Sequence, residues 1–276
     1  MEIGLLPVCV VLEFPLSAVP LRFIENIGLS VKRSITGLGR YALLVQSVTY
    51  WLVHPPLRTR LIFKQLEFVG NRSLAIIFLS ALFTGAVIGL QIGTIFGIFK
   101  AEGLMGAATA KAMALELAPT MCGFIVAGRA GAAMAAEIAT MRVNEQIDAM
   151  EAMGVDPVSY LIVPRVIGSI IMMPMLSGLF LFIGTIGTYI IGVVRFKVDT
   201  QVFLQQLQAL VSMDDVYKGL IKAVAFGFII STLACYKGFH AKGGAKGVGE
   251  ATTEAVVLSL LTILISDFFI SLMQLG

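Results

Sequence analysis

Residues 73–99 run for 27 positions without an Asp, Glu, Lys or Arg. A helix needs about 20 apolar residues to cross the hydrocarbon core of a bilayer. Inside that core only a helix or a closed barrel satisfies its own backbone. A second uncharged run, residues 166–194, covers 29 positions. Of the 276 residues, 58% are hydrophobic and 13% charged, with mean hydropathy +0.92. Water-soluble domains carry roughly 25% charge, and half that share cannot cover a water-facing surface. The sequence therefore predicts an all-α integral membrane protein.

Five transmembrane helices are predicted, at residues 73–99, 111–140, 160–194, 218–237 and 252–275. The second is the least uniform. It carries Lys111, Glu116, Arg129 and Glu137, and Pro119 inside it is expected to kink it. Pro174 is a candidate kink in the third. Residues 195–217 are more polar and predict a short helix outside the bilayer, whereas the basic, glycine-rich residues 237–249 predict a loop. Gly85, Gly89, Gly93 and Gly97 recur every four residues in the first span, a register that predicts a helix-packing face.

Residues 22–72 hold eight Lys/Arg in blocks that alternate with apolar stretches, and Tyr50 and Trp51 end one such stretch. This pattern predicts one or two amphipathic helices in the membrane interface; a short soluble pre-domain is the alternative. Residues 1–21 are read as a poorly defined extension rather than a cleaved signal, since Glu2 and Glu13 interrupt them and Pro7, Pro15 and Pro20 should break any helix. Arg142 and Arg165, around the turn from span two into span three, and Lys237, Lys242 and Lys246, around the turn from span four into span five, fall on the same side as the eight basic residues. Lys100, Arg195 and Lys197 fall on the other. The bias predicts a cytoplasmic N-terminus and an external C-terminus.

Residues 141–153 are too short and too charged to span. Val143, Ile147 and Met150 follow helical spacing, Arg142, Glu145, Asp148 and Glu151 are polar, and Gly154, Asp156 and Pro157 end the segment. Helices that rest on anionic lipid are usually basic. With three acids against one Arg, this cytoplasmic helix reads as a lever for a soluble partner.

Glu116, Arg129, Glu137 and Asp267 form the intramembrane ionisable set, for which function is the default reading. The alternative is a structural network, for example Arg129 with Glu137 or with Asp267; Glu116, beside Pro119, leans toward a substrate path. Cys9, Cys122 and Cys235 are isolated, as are His54 and His240, so neither a disulfide framework nor a metal site is expected. No GxxxxGK[ST] motif occurs, and residues 243–247 lack the Ser/Thr a P-loop needs after its lysine. No Ser-His-Asp set is recognisable. No enzyme activity, bound cofactor or nucleic-acid partner is expected of this chain, and the energy for any active transport must come from a partner or an ion gradient.

The run ELAPTMCGFIVAGRAGAAMAAEIATMRVNEQIDAMEAMGVDP, residues 116–157, resembles the signature of the MlaE-type permeases, the membrane subunits of MCE-associated ABC phospholipid transporters. Residues 247–257, GVGEATTEAVV, and the pair Asp267-Phe268 match as well. The resemblance covers residues 22–276. It implies a homodimer of five-span subunits in the inner membrane, each preceded by an interfacial helix. It implies a coupling helix at residues 144–153, docked on a cytoplasmic ATPase that holds ATP and Mg. Arg142, Glu145, Gln146, Asp148, Glu151, Met153 and Gly154 are the residues assigned to that coupling. It also implies a periplasmic MCE-domain partner, a possible STAS-domain protein, and phospholipid moved between inner and outer membranes. The lipid path is expected at the dimer centre, along spans one, two and five, with Gln91, Glu116, Pro119 and Asp267. Where some family members carry an Arg just before this glutamate, Leu115 stands here, and Lys111 is the nearest upstream cation. A proton-coupled secondary transporter using Glu116 and Asp267, or a non-transporting membrane scaffold, are the competing readings. No internal repeat supports the former.

Overall fold

The computed structural model describes residues 18–54 and 58–275. Most of the predicted N-terminal extension, residues 1–17, lies outside them. The chain forms two compact units, Met1–Leu43 and Leu44–Gly276, and all five spans belong to the second. No strand occurs among the described residues.

Helix α1, Ala18–Val53, is one continuous 36-residue helix. The break expected at Pro20 does not occur, because Pro20 falls in the first turn, where its missing N–H has no helical partner to lose. Helix α2, Thr59–Val69, passes through Gly70 directly into α3, Asn71–Ile98. A side chain at Gly70 would strike the Met172 side chain. Together α2 and α3 make a 40-residue helical run. At 1.5 Å per residue that is about 60 Å, twice the hydrocarbon thickness. The charges decide which part is immersed. Arg60, Lys64, Glu67 and Arg72 all lie in α2 and the first turn of α3, which leaves the uncharged remainder of α3 as the stretch apolar enough to cross.

The second span is segmented: α4 Met105–Ala112, a π-turn Met113–Leu117, α5 Ala118–Val126, a second π-turn Ala127–Gly131, and α6 Ala132–Val143. Pro119 cannot donate a backbone hydrogen bond. The wide turn ahead of it absorbs the mismatch, as π-bulges do inside helices. The short helix α7, Gln146–Ala152, comes next, and then α8, Val163–Phe196, entered through a third π-turn, Val158–Ile162. Helix α9, Thr200–Leu210, is the short polar helix expected between spans three and four; the Asp199 carboxylate accepts from the Gln201 and Val202 amides at its start. Helix α10, Met213–Phe239, opens with a capping box in which Ser212 and Asp215 satisfy each other's amides. Helix α11, Gly244–Leu275, completes the chain.

Among the described residues, five helical runs are long and apolar enough to cross a membrane. Several begin earlier than hydropathy predicts, at Glu102 rather than 111 and at Gly244 rather than 252. Helices continue past the hydrocarbon edge, where polar turns no longer register as membrane sequence.

The glycine register in α3 packs on α8. A Cβ at Gly85 would strike the Gly184 carbonyl, one at Gly89 would crowd Thr188, and one at Gly93 would strike the Phe196 ring; at Gly97 the nearest atom is Glu102 Oε1, at 3.6 Å. At this approach the Thr188 hydroxyl reaches across the interface and donates to the Gly85 carbonyl at 2.9 Å. The core centres on Cys122 and Val126 of α5, Met173 and Phe180 of α8, and Phe226 and Ile230 of α10, all buried. By contrast, α11 exposes Leu261, Ile265, Phe268, Phe269 and Leu272, all more than half uncovered. Such an apolar face suits lipid or another helix, not water.

Candidate functional site

Three spans converge on one buried ammonium. Lys222 of α10 has no exposed surface. Its Nζ donates to Glu116 Oε2 at 2.6 Å and to Ser271 Oγ at 2.7 Å, and lies 3.2 Å from Asp267 Oδ1. The Ser271 hydroxyl has two acceptors within reach of its one proton, the Asp267 carbonyl one turn back in α11 at 2.7 Å and the Glu116 carboxylate at 3.1 Å. Local sequence makes this meeting possible. Glu116 sits on the π-turn before Pro119, so its side chain leaves the helix at a register a regular α-helix would not supply. One turn before Lys222, Gly219 approaches span two so closely that a Cβ would strike the Ala114 carbonyl. Asp267 and Ser271 share one face of α11 at i, i+4.

The electrostatics are asymmetric. One ammonium faces two carboxylates in a low-dielectric setting, where an unmatched charge is expensive. Lys222 is sealed, Asp267 is 18% exposed and Glu116 is 45% exposed. Glu116 is therefore the member of the cluster that a molecule beside the protein can reach.

Of the residues expected on the substrate path, the structure brings Glu116 and Asp267 together. Pro119 is buried three residues beyond Glu116, and Gln91 is exposed on α3 without a described partner. Lys111 does not serve Glu116. It pairs with Asp215 at 3.3 Å, beside the Leu210 carbonyl. Lys222 and Ser271 were not among the expected site residues. The signal for Lys222 is a lysine one turn past Lys218 at the start of an apolar run.

Arg129 and Glu137, expected as one charge network, belong to two. Arg129 sits on the second π-turn and donates to Ser73 Oγ at 2.9 Å and to the Phe68 and Val69 carbonyls at 2.6 and 3.2 Å. Glu137 instead accepts from Arg165 of α8 at 2.8 Å, and Arg165 also donates to the Leu161 carbonyl at 2.6 Å. The π-turn explains the split, since it changes the angular offset between Arg129 and Glu137.

The remaining expected residues gather at α7. Ile147 is buried among Ile138, Ile162, Val166 and Cys235, with Leu44 and Val48 from the last part of α1. Glu145, Gln146, Asp148, Glu151, Met153 and Gly154 are exposed, and Arg142 pairs with Asp148. Glu145 (φ 57°) and Gly154 (φ +75°) take left-handed conformations that turn the chain sharply at the two ends of the helix. The result is a short acidic surface held to the span bundle by Ile147, with Met150 packed beside it. Among the described residues, no cluster of His, Cys, Asp and Glu could hold a metal ion.

Five spans, an anchored acidic helix between spans two and three, and an ionic cluster inside the bundle define a polytopic membrane permease. Residues 62–273 match the family described as Permease MlaE, and the chain belongs to that family. It is 41% identical over 251 residues to a probable ABC transporter permease protein of Rickettsia felis, covering 91% of this chain and 97% of the relative. It is 36% identical over 257 residues to the intermembrane phospholipid transport system permease protein MlaE of Haemophilus influenzae, covering 92% and 98%. It is also 36% identical over 208 residues to the chloroplastic protein TRIGALACTOSYLDIACYLGLYCEROL 1 of Arabidopsis thaliana, covering 75% of this chain and 59% of that one.

Proposed function

We propose that this permease subunit moves phospholipid between the inner and outer membranes, as a homodimer in the inner membrane, driven by a separate cytoplasmic ATPase. The observation that carries the reading is the cluster at Lys222. Its reachable carboxylate, Glu116, is the member of the cluster open to a headgroup, and it offers a partner for the cation of a zwitterionic phospholipid. The surplus carboxylate favours a headgroup that carries a cation over a bare anion.

The uncovered apolar face of α11, beside Asp267, suits a second copy, and the lipid path then runs between the two α11 helices. The acidic surface of α7 docks the ATPase, whose ATP-driven closure pushes α7 and, through Ile147, the ends of α6, α8 and α10. An MCE-domain protein on the periplasmic side, and a STAS-domain protein on the ATPase, complete the assembly. The phospholipid cargo is supported by the name of the Haemophilus influenzae relative and the ATPase by that of the Rickettsia felis relative.

The test is transfer of a labelled phospholipid from proteoliposomes containing the chain and its ATPase. The proposal expects ATP-dependent transfer that Glu116→Gln lowers at least tenfold. Transfer driven by a proton gradient without ATP would favour the secondary-transporter reading. No transfer under either drive would favour the scaffold.

A further inference from the structure

Two basic hollows lie side by side on α2, away from the Lys222 cluster. The first, about 750 Å³, is walled by Arg58, Arg60, Lys64 and Tyr160, and Glu67 is its one acidic neighbour. The Arg58 guanidinium stacks 4.3 Å above the centre of the Tyr160 ring, and its Nη1 is buried without a hydrogen-bond partner. The second, about 310 Å³, is walled by Lys64, Gln65, Phe68, Arg72, Ala133 and Glu137. Glu137 is already committed to Arg165. Arg72 and Arg129 both approach the Phe68 ring, at 5.7 and 5.2 Å from its centre, so two guanidinium groups share one aromatic ring. Gln65 Oε1 is buried and accepts no hydrogen bond. Lys64 lines both hollows.

None of Arg58, Arg60, Lys64, Arg72 or Arg129 joins an ion pair among the described residues. Arg60 and Lys64 even stand at i, i+4, where like charges repel. Unmatched positive charge, a buried donor without an acceptor and a buried acceptor without a donor describe a surface shaped for an absent anion that also carries a hydroxyl. The charges of α2 keep it out of the hydrocarbon and in the membrane interface, which is the depth of lipid phosphates. Basic pockets between helices at that depth bind anionic headgroups.

We propose that the two hollows together hold the headgroup of a diphosphate glycerophospholipid, two phosphatidyl groups joined through one glycerol. One phosphate sits among Arg58, Arg60 and Lys64. The other sits between Lys64 and Arg72, with Arg129 behind. The hydroxyl of the bridging glycerol donates to Gln65 Oε1. This lipid stays bound at the side of the protein rather than travelling through it, and the inference rests on the membrane embedding of α3, not on what the permease carries.

The test uses the full chain in phosphatidylcholine nanodiscs doped with diphosphatidylglycerol or, at equal phosphate, phosphatidylglycerol, with retained lipid counted by native mass spectrometry. Diphosphatidylglycerol should be retained preferentially. Lys64→Gln and Arg58→Gln should each weaken retention about fivefold or more, the weight of one cation at an anionic surface. Arg195→Gln, an exposed cation at the other end of the spans, should leave it unchanged, and all three variants should keep the wild-type unfolding midpoint. Equal retention of the two lipids would overturn the two-phosphate assignment. Retention unaffected by Lys64→Gln and Arg58→Gln would overturn the site. Displacement of the lipid by an equal concentration of inorganic pyrophosphate would assign the pockets to a water-soluble anion instead.

Discussion

Lys222 and Glu116 are 106 residues apart in the chain and 2.6 Å apart in space. Asp267 lies 3.2 Å from the same ammonium, so a single buried lysine ties spans two, four and five together. The tie is structural and chemical at once, and the two roles separate by mutation.

Replacing Lys222 with Met leaves two carboxylates facing each other without their cation. Breaking a buried pair from one side costs about 3–5 kcal/mol, and the thermal midpoint in detergent should fall accordingly. Adding Glu116→Gln and Asp267→Asn removes the repulsion and should recover most of the midpoint while transport stays lost. A Lys222→Met variant with the wild-type midpoint would show that the cluster does not hold the spans.

The α3–α8 contact gives a paired prediction. At Gly85 a methyl group would meet the Gly184 backbone, whereas at Gly178, on α8 itself, nothing lies within 4 Å. Gly85→Ala should therefore destabilise by about 1–3 kcal/mol through overpacking. Gly178→Ala should be neutral or slightly stabilising, by up to about 1 kcal/mol, since Ala is the better helix former. Unfolding of the two variants in the same detergent checks both.

Arg165 is nearly sealed and holds both Glu137 and the Leu161 carbonyl. Arg165→Gln should cost about 1.5–3 kcal/mol, the range for hydrogen bonds to charged groups, and should loosen the junction of α6 and α8 near α7. Hydrogen exchange over residues 137–166 should rise while exchange in α3 stays unchanged.

On α7, Glu145, Asp148 and Glu151 are exposed, so reversing all three to Lys should leave folding within about 0.5 kcal/mol per site. ATP hydrolysis by the partner should continue while lipid transfer falls at least tenfold. Wild-type coupling in that variant would remove α7 from the drive train.

The spans were legible because uncharged runs of 27 and 29 residues leave a chain no other environment. The α3 packing face was legible because glycines at four-residue spacing mark one helix face. The acidic α7 stood out against its apolar neighbours, and Glu116 and Asp267 stood out as charges in membrane sequence. The register of span two was hidden. Two π-turns inside it and a third at the start of span three, none with a recognisable sequence rule, rotate the helical segments after them, so Arg129 reaches Ser73 while Glu137 reaches Arg165. Lys222 was hidden by its place near a span end, where lysines usually serve as interfacial anchors. Proline was over-read at Pro20, since its cost depends on which turn of the helix it enters.

The most direct test of the central claim is affinity purification of the tagged chain in mild detergent, with ATPase assay and lipid mass spectrometry of the eluate. An ABC-type lipid permease should bring with it a nucleotide-hydrolysing partner and bound phospholipid, and Glu116→Gln should lower the bound lipid without releasing the partner. A chain that elutes alone, free of lipid and without ATP hydrolysis, would contradict the account.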